Sequence, residues 1–151
     1  METTPQAQFS FIDFRVNSFD FKVPKVEGTI LGVGFKPSGI FFPKERKFEL
    51  TINAIVVNDD NKKDVYINLN LTADFKFENV NKIEDIPAFF FVNSIPIVFP
   101  YVRAFVSNLS LQANWEPMII PLLNMTHLAD KLRENTTEAS ESDGTPEISK
   151  T

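Results

Sequence analysis

A nearly uncharged block at residues 94–109 constrains the fold more than any other part of the chain. Its only ionised side chain is Arg103, and both Pro96 and Pro100 lie inside it. A central strand with two prolines would lose two ladder donors, whereas a helix tolerates proline in its first turn. The block therefore favours a helix, with Ser94 as the N-cap and a kink near Pro100.

Apolar side chains recur along this helix in steps of three or four residues, which places them on one face. They are Val98, Val102, Phe105 or Val106, and Leu109. The other faces carry Ile97, Phe99, Tyr101 and Ala104, so little polar surface remains. A helix that is apolar all round must be covered on more than one side, by its own sheet and most simply by a second subunit.

The composition agrees with a need for extra cover. A chain of 151 residues has the size of one domain, yet it contains 16 Phe and 10 Pro. That is more large apolar surface than a small monomer easily hides. The absence of cysteine excludes disulfides, thiolate nucleophiles and cysteine-based metal sites.

The charge is concentrated at the end of the chain. Residues 134–151 carry −4 of the net charge of −5, which leaves about −1 for residues 1–133. An acidic chain without a basic stripe is a poor candidate for binding nucleic acid. Residues 1–8 lack the features of a signal peptide, and no segment is expected to approach bilayer length. We therefore expect a cytoplasmic protein without stable membrane insertion.

The first half of the chain has the patterns of strands. Residues 9–23 alternate with period two, but the phase slips near Phe11 and again between Val16 and Phe19, which predicts bulges. Residues 26–42 form a second, glycine-rich strand pattern in which another backbone can approach closely. Within it, Lys-Pro-Ser-Gly at residues 36–39 predicts a turn.

Residues 47–57 and 65–77 alternate apolar and polar side chains most clearly, and a polar turn at residues 58–63 separates them. This pattern predicts an antiparallel hairpin with one buried face. The helical block, at about residues 87–112, is what remains to cover that face. An irregular, proline-rich segment then follows at residues 113–124.

The end of the chain predicts one short helix and a tail. Thr126 is the expected cap of a helix at residues 127–133. Residues 134–151 are expected to be a disordered acidic tail, and residues 1–8 a flexible N-terminus. The sequence thus predicts an α+β domain at residues 9–133, with a four-stranded antiparallel sheet covered by one long helix and followed by a short one.

The motif Phe-Pro-Tyr-x-Arg at residues 99–103, in a helix after four strands, resembles the corresponding segment of the bacterial protein-export chaperone SecB. The order of elements over residues 9–133 is similar too. The resemblance implies a homotetramer, a dimer of dimers, with the long helices packed between the sheets. It also implies ATP-independent binding of unfolded precursor proteins, which are kept translocation-competent and passed to the SecA motor.

The resemblance further implies which residues act. The unfolded-peptide groove would use apolar positions between the first two strands and after the long helix, with two further candidates on the fourth strand. These positions are Val23, Val26, Phe75, Phe77, Trp115, Met118, Ile119, Ile120, Leu128 and Leu132, and ordinary core is the alternative for each. The oligomer interface would include Val98, Tyr101, Val102, Phe105 and Leu109.

One departure from the family concerns the SecA contact. Family members use acidic side chains on the outer sheet face, and the aligned positions here are Ser18, Lys22 and Asn70. Either the motor docks differently, or the protein is a dedicated chaperone of a single partner such as an antitoxin.

The sequence offers no catalytic or cofactor motif. His127 is the only histidine, and its position suits a solvent-exposed helix start better than a metal site. No phosphate-binding loop, dinucleotide fingerprint or nucleophile elbow occurs. We expect no enzyme activity, no cofactor and no metal. A further alternative function is a β-rich carrier with a Phe-lined cavity for a small apolar ligand.

Overall fold

The computed structural model describes residues 2–3, 8–25 and 28–140. In these residues the chain forms the predicted α+β fold. Its elements are strands β1 (Phe9–Phe21), β2 (Leu31–Phe42), β3 (Lys47–Asn58) and β4 (Val65–Phe77), a 3₁₀ turn (Ile83–Asp85), helices α1 (Ala88–Gln112) and α2 (Thr126–Glu134), and strand β5 (Thr136–Glu138). The sheet order is β1-β4-β3-β2-β5.

The hairpin and the irregular first strand are confirmed. Strands β3 and β4 pair antiparallel, and their apolar sets form one buried face. Strand β1 pairs antiparallel with β4, with register shifts between Phe11 and Asp13 and between Val16 and Ser18. These shifts lie where the period-two pattern slips, because an extra residue in a strand turns the side chains that follow to the other face.

The turn predicted at residues 36–39 is wrong, because β2 continues from Leu31 to Phe42. Pro37 is compatible with this strand because its nitrogen faces the sheet edge and not β3. The chain reverses just after the strand, where the Arg46 N–H donates to the Pro43 carbonyl at 3.3 Å. Arg46 has φ 51°, which is the left-handed conformation of a tight turn.

Helix α1 begins well before the predicted N-cap. Pro87 occupies the N-cap position, and Ser94 lies fully buried inside the helix. Pro96 and Pro100 are therefore interior prolines and not first-turn prolines. Both are exposed, so the carbonyls that lose their helical N–H partners lie on the outer side of the helix.

The length of α1 also corrects an expectation. By length and composition alone this helix could cross a membrane, although no segment was expected to approach that length. However, 44% of its most apolar window is buried inside the protein. This partial burial is typical of a core helix that lies on a sheet.

Phe90 is the centre of the core where α1 begins. Its side chain is fully buried. Its ring centroid lies 4.7–5.7 Å from those of Phe9, Phe48, Phe75, Phe77 and Phe91. Edge-to-face contacts of this kind add stability beyond the apolar area that they bury. This cluster ties the start of α1 to strands β1, β3 and β4.

The end of the chain differs from the expectation in two respects. Thr126 is the first residue of α2 and not its cap; instead its N–H donates to Asn124 Oδ1 at 3.1 Å. Thr136–Glu138 forms a fifth strand, parallel to β2, so the predicted disordered tail does not begin at residue 134. Residues 141–151, and residues 1 and 4–7 of the predicted flexible N-terminus, lie outside the described residues.

We predict that Phe90→Ala lowers the free energy of unfolding by about 3–5 kcal/mol, since it leaves a cavity between helix and sheet. Leu122→Ala is the control, because Leu122 is 85% exposed, and its effect should stay within about 0.5 kcal/mol. Urea denaturation followed by circular dichroism measures both. A loss below about 1 kcal/mol for Phe90→Ala would show that the cluster does not anchor the helix.

Candidate functional site

The outer face of α1 is largely apolar, and nothing in the described part of the chain covers it. Large apolar side chains are exposed along it at helical spacing, together with both prolines and Ala104. These side chains are Phe89, Val92, Ile97, Tyr101 and Leu111, with exposures of 37–53%. We call this set the outer stripe. Monomeric proteins rarely expose a contiguous apolar surface of this length, so the outer stripe is a candidate contact surface.

Strand β1 extends this surface sideways. The Tyr101 ring lies 5.3 Å from the ring of Phe11 and 4.5 Å from the ring of Phe14. Phe89 stacks on Phe9 at 5.9 Å. The outer stripe is thus continuous with the aromatic side chains of an edge strand. A partner that covers α1 would therefore reach β1 as well.

The structure distributes the predicted interface residues over both sides of α1. Val98 and Val102 are fully buried against the chain's own sheet, and Phe105 and Leu109 are half-buried. Only Tyr101 lies on the outer stripe. The residues predicted from the sequence lie mainly on the inner of the two apolar faces of α1. The residues of the outer face could have been found by the same helical spacing.

A cavity of about 170 Å³ opens where β2 begins. Pro24 and Leu31 line one side of it, and Trp115, Pro117 and Met118 line the other. We call it the edge cavity. The wall also includes Thr29 and Glu116, so the cavity offers polar groups beside apolar ones, among which is the chain's only Trp.

A second, wider cleft of about 450 Å³ lies between α1 and the following loop. The loop side is formed by Ile119 and Leu122. The helix side is formed by the apolar Phe99, Pro100 and Ala104 and the polar Arg103 and Ser107. We call it the helix cleft. Met118 lines the edge cavity and Ile119 lines the helix cleft, so the same loop serves both concave surfaces.

Two serines of α1 fix the position of this loop. The Met118 N–H donates to Ser110 Oγ at 2.9 Å, and Ser110 Oγ donates to the Ser107 carbonyl at 2.8 Å. The Ser107 hydroxyl donates to the Met118 carbonyl at 3.0 Å. Because Ser110 and Met118 are buried, the bond from the Met118 N–H to Ser110 Oγ is shielded from water. A polar residue that the sequence analysis did not select thus holds the walls of both concave surfaces.

The structure brings together only some of the predicted groove residues. Trp115 and Met118 line the edge cavity, Ile119 lines the helix cleft, and Val23 is exposed close to the cavity residue Pro24 in the chain. The other described candidates lie in the core of the subunit, which was the alternative interpretation for each of them. They are Phe75, Phe77, Ile120, Leu128 and Leu132. Val26 lies outside the described residues.

The face of the sheet opposite the helices carries an amide ladder. Asn17 Nδ2 donates to Asn70 Oδ1 at 2.6 Å, and Asn70 Nδ2 donates to Asn53 Oδ1 at 2.7 Å. At the end of β1, Lys22 Nζ bonds Asp64 Oδ1 at 3.0 Å, and this bond lowers the pKa of Asp64. Of the positions that the sequence resemblance aligned with acidic contacts, Asn70 thus belongs to an uncharged ladder, and Lys22 is paired with a carboxylate.

Comparison with known proteins identifies the family. Residues 41–135 match the family model of the preprotein translocase subunit SecB. This match covers more than half of the chain, so the protein belongs to the SecB family. The resemblance of the motif at residues 99–103 is thereby confirmed.

Two further proteins are similar to this chain. The chain is 27% identical over 155 residues to the uncharacterized protein MJ0357 of Methanocaldococcus jannaschii, covering 95% of this chain and 98% of the relative. It shares its fold with the Mycobacterium tuberculosis Rv1957 SecB-like chaperone, solved in complex with a ChAD peptide from the Rv1956 HigA1 antitoxin. That match has a TM-score of 0.63 at 17% identity and covers 78% of this chain and 91% of the other.

We predict that Ser110→Ala destabilises the loop that carries both concave surfaces. The change leaves the Met118 N–H buried without an acceptor, which costs about 1–3 kcal/mol. Hydrogen exchange followed by mass spectrometry should show faster exchange at Met118. The control is Asn108→Ala, at an exposed position two residues before Ser110 on α1. It should leave the exchange rate of the Met118 amide unchanged. Equal exchange rates at Met118 in the two variants would contradict the assigned role of Ser110.

Proposed function

We propose that this protein is an ATP-independent holdase that binds unfolded segments of other proteins. The proposal rests on two concave surfaces, the edge cavity and the helix cleft. The loop that carries Met118 and Ile119 lies between them. Membership of the SecB family supports it. No catalytic step, cofactor or metal enters the proposed function.

The physical basis is mass action. A ligand that binds only the unfolded state of a client shifts the client's folding equilibrium without an energy source. Apolar surface contributes about 25 cal/mol per Å² covered, and this contribution requires little sequence specificity. The exposed side chains of Ile119 and Leu122 are available for such cover at a modest cost, since their loop is already fixed by hydrogen bonds.

The holdase is proposed to act as a homotetramer, a dimer of dimers, in the cytoplasm. The outer stripe supports self-association, since its exposed polar neighbours on α1 are the uncharged Asn93, Asn108 and Gln112 and its one charged neighbour is the half-buried Arg103. A second copy would present the same apolar surface, and isologous contacts of this kind are the commonest in oligomers. In that assembly Tyr101 and the aromatic side chains beside it on β1 would become buried.

Export of precursor proteins through a SecA motor is the general form of this function. In that form the clients are unfolded precursors that the holdase keeps translocation-competent. The neutral amide ladder around Asn70 and the Lys22–Asp64 ion pair do not provide the acidic contacts that the family uses for SecA. A motor would therefore need another docking surface on this protein.

A dedicated chaperone of a single partner, such as an antitoxin, is the second candidate function. The replaced acidic positions favour it, and so does the antitoxin peptide bound to the Rv1957 SecB-like chaperone.

The small-ligand carrier is less suited to the geometry, because the edge cavity and the helix cleft are open to solvent.

We predict that the purified protein suppresses the aggregation of a reduced, unfolding client at stoichiometric amounts without ATP. Ile119→Asp should weaken this suppression, because a carboxylate in the helix cleft opposes apolar contact. The matched control is Ile40→Asp, at an exposed position on the opposite face of the sheet. Light scattering of the client measures each variant.

The outcome also separates the two candidate functions. Suppression with a generic client supports the general holdase. Unchanged scattering, combined with co-purification of one protein from the native host, supports the dedicated chaperone. Unchanged scattering without any bound protein would contradict both.

A further inference from the structure

Helix α1 carries a single charged side chain, that of Arg103, among its 25 residues. Arg103 is half-buried and lines the helix cleft beside Phe99 and Ile119. Long cationic side chains usually extend their charge into water, so a guanidinium that stays beside an apolar wall is partly desolvated. Its position therefore has an energetic cost that a paired anion would offset.

This guanidinium has no partner in the described part of the chain. No carboxylate there lies within 4.0 Å of it, and no carbonyl or hydroxyl oxygen accepts a hydrogen bond from it. Lys22 and Arg15, by contrast, have a carboxylate oxygen at 3.0 and 3.1 Å, respectively. The other polar side chain of the cleft is Ser107, and its hydroxyl already donates to the Met118 carbonyl. The N–H groups of Arg103 are therefore the donors that the cleft offers to a ligand.

An arginine side chain in these surroundings favours a carboxylate. The planar guanidinium forms two parallel N–H···O bonds with a carboxylate, and these bonds are stronger than those between neutral groups. Apolar walls strengthen the attraction further, because they lower the local dielectric constant. The cleft of about 450 Å³ also has room for apolar side chains beside the carboxylate, against the exposed Ile119 and Leu122.

We propose that Arg103 binds a carboxylate of the client, so that the helix cleft selects an Asp or Glu residue flanked by apolar residues. This inference rests on the proposed function and adds a charge requirement at one place in a mainly apolar surface. The edge cavity has a carboxylate of its own, because Glu116 is part of its wall. A client carboxylate is therefore favoured in the helix cleft and disfavoured in the edge cavity, which limits the register in which a client lies across the loop.

A second copy of this chain does not supply the missing carboxylate through its own α1. Arg103 is the only charged residue of the helix, so two outer stripes in contact bring no acidic side chain to either cleft. Packing of this kind would leave the guanidinium unpaired. The anion is accordingly that of a client segment.

Three labelled peptides test the charge requirement. They have the same Leu-rich sequence and differ only in one central residue, which is Glu, Gln or Lys. Fluorescence anisotropy should show that the Glu peptide binds at least about fivefold more tightly than the Gln peptide, as expected for a charge-assisted bond at a half-buried site. The Lys peptide should bind most weakly, because its ammonium group would face the guanidinium.

Substitution of Arg103 identifies the group responsible. In Arg103→Gln the Glu and Gln peptides should bind with affinities within about twofold of each other. In Arg103→Glu the order should reverse, with the Lys peptide bound more tightly than the Glu peptide. Lys82→Gln is the matched control, because Lys82 is exposed between β4 and α1 and its loss changes the net charge by the same amount. It should keep the preference for the Glu peptide.

Equal binding of the Glu and Gln peptides to the native protein would overturn the inference and leave the holdase intact. A preference for the Glu peptide that survives in Arg103→Gln would overturn it too, since the anion would then bind elsewhere. So would a lower native mass of Arg103→Gln, which would assign the guanidinium to a subunit contact. If no peptide binds and client aggregation is also unaffected, the proposed function fails, and the inference fails with it.

Discussion

Helix α1 is apolar on two faces, and the sheet of its own subunit covers only one of them. The inner face is fixed by Phe90 in its aromatic cluster and by Val98 and Val102 further along. The outer face has the same spacing and the same kind of side chains, but the described residues leave it exposed. Because exposed apolar area of this extent is unfavourable in water, the rest of the architecture depends on how the outer face is covered.

The position of α1 also determines where the concave surfaces lie. The loop that follows α1 lines the edge cavity together with Leu31 at the start of β2, and the chain continues from this loop into α2. Ser107 and Ser110 hold this returning loop through Met118, with one wall in the edge cavity and the other in the helix cleft. The surplus of apolar surface that favours self-association therefore continues into the surfaces proposed to bind clients.

Much of the fold was predictable from the sequence because it depends on local periodicity. The β3–β4 hairpin, the bulges of β1 and the irregular loop after α1 all follow from side-chain alternation and proline content. The continuity of β2 was not predictable, because the sequence around Pro37 is typical of a turn. Only the pairing shows that the Pro37 nitrogen faces a sheet edge, where a strand tolerates proline. The pairing of Thr136 beside β2 is long-range and leaves no local pattern in a polar segment.

The candidate site was predictable only in part. Trp115 and Ile119 were selected, but burial separates them from Phe75, Phe77, Ile120, Leu128 and Leu132, which belong to the core; Met118 is buried as well and lines the edge cavity from the core side. Periodicity identifies apolar positions and does not show which side of a two-faced helix meets its own sheet. Ser110 was missed because a buried hydroxyl becomes informative only through its hydrogen-bond partners.

Footprinting of the two tyrosines with hydroxyl radicals tests the covered outer face most directly. Tyr66 is 2% exposed and is the internal reference for a buried ring, whereas Tyr101 is 38% exposed in the single chain. If a second subunit covers α1, both tyrosines of the native protein should be labelled at similarly slow rates. Rapid labelling of Tyr101 with Tyr66 still protected would show an uncovered helix and contradict the account.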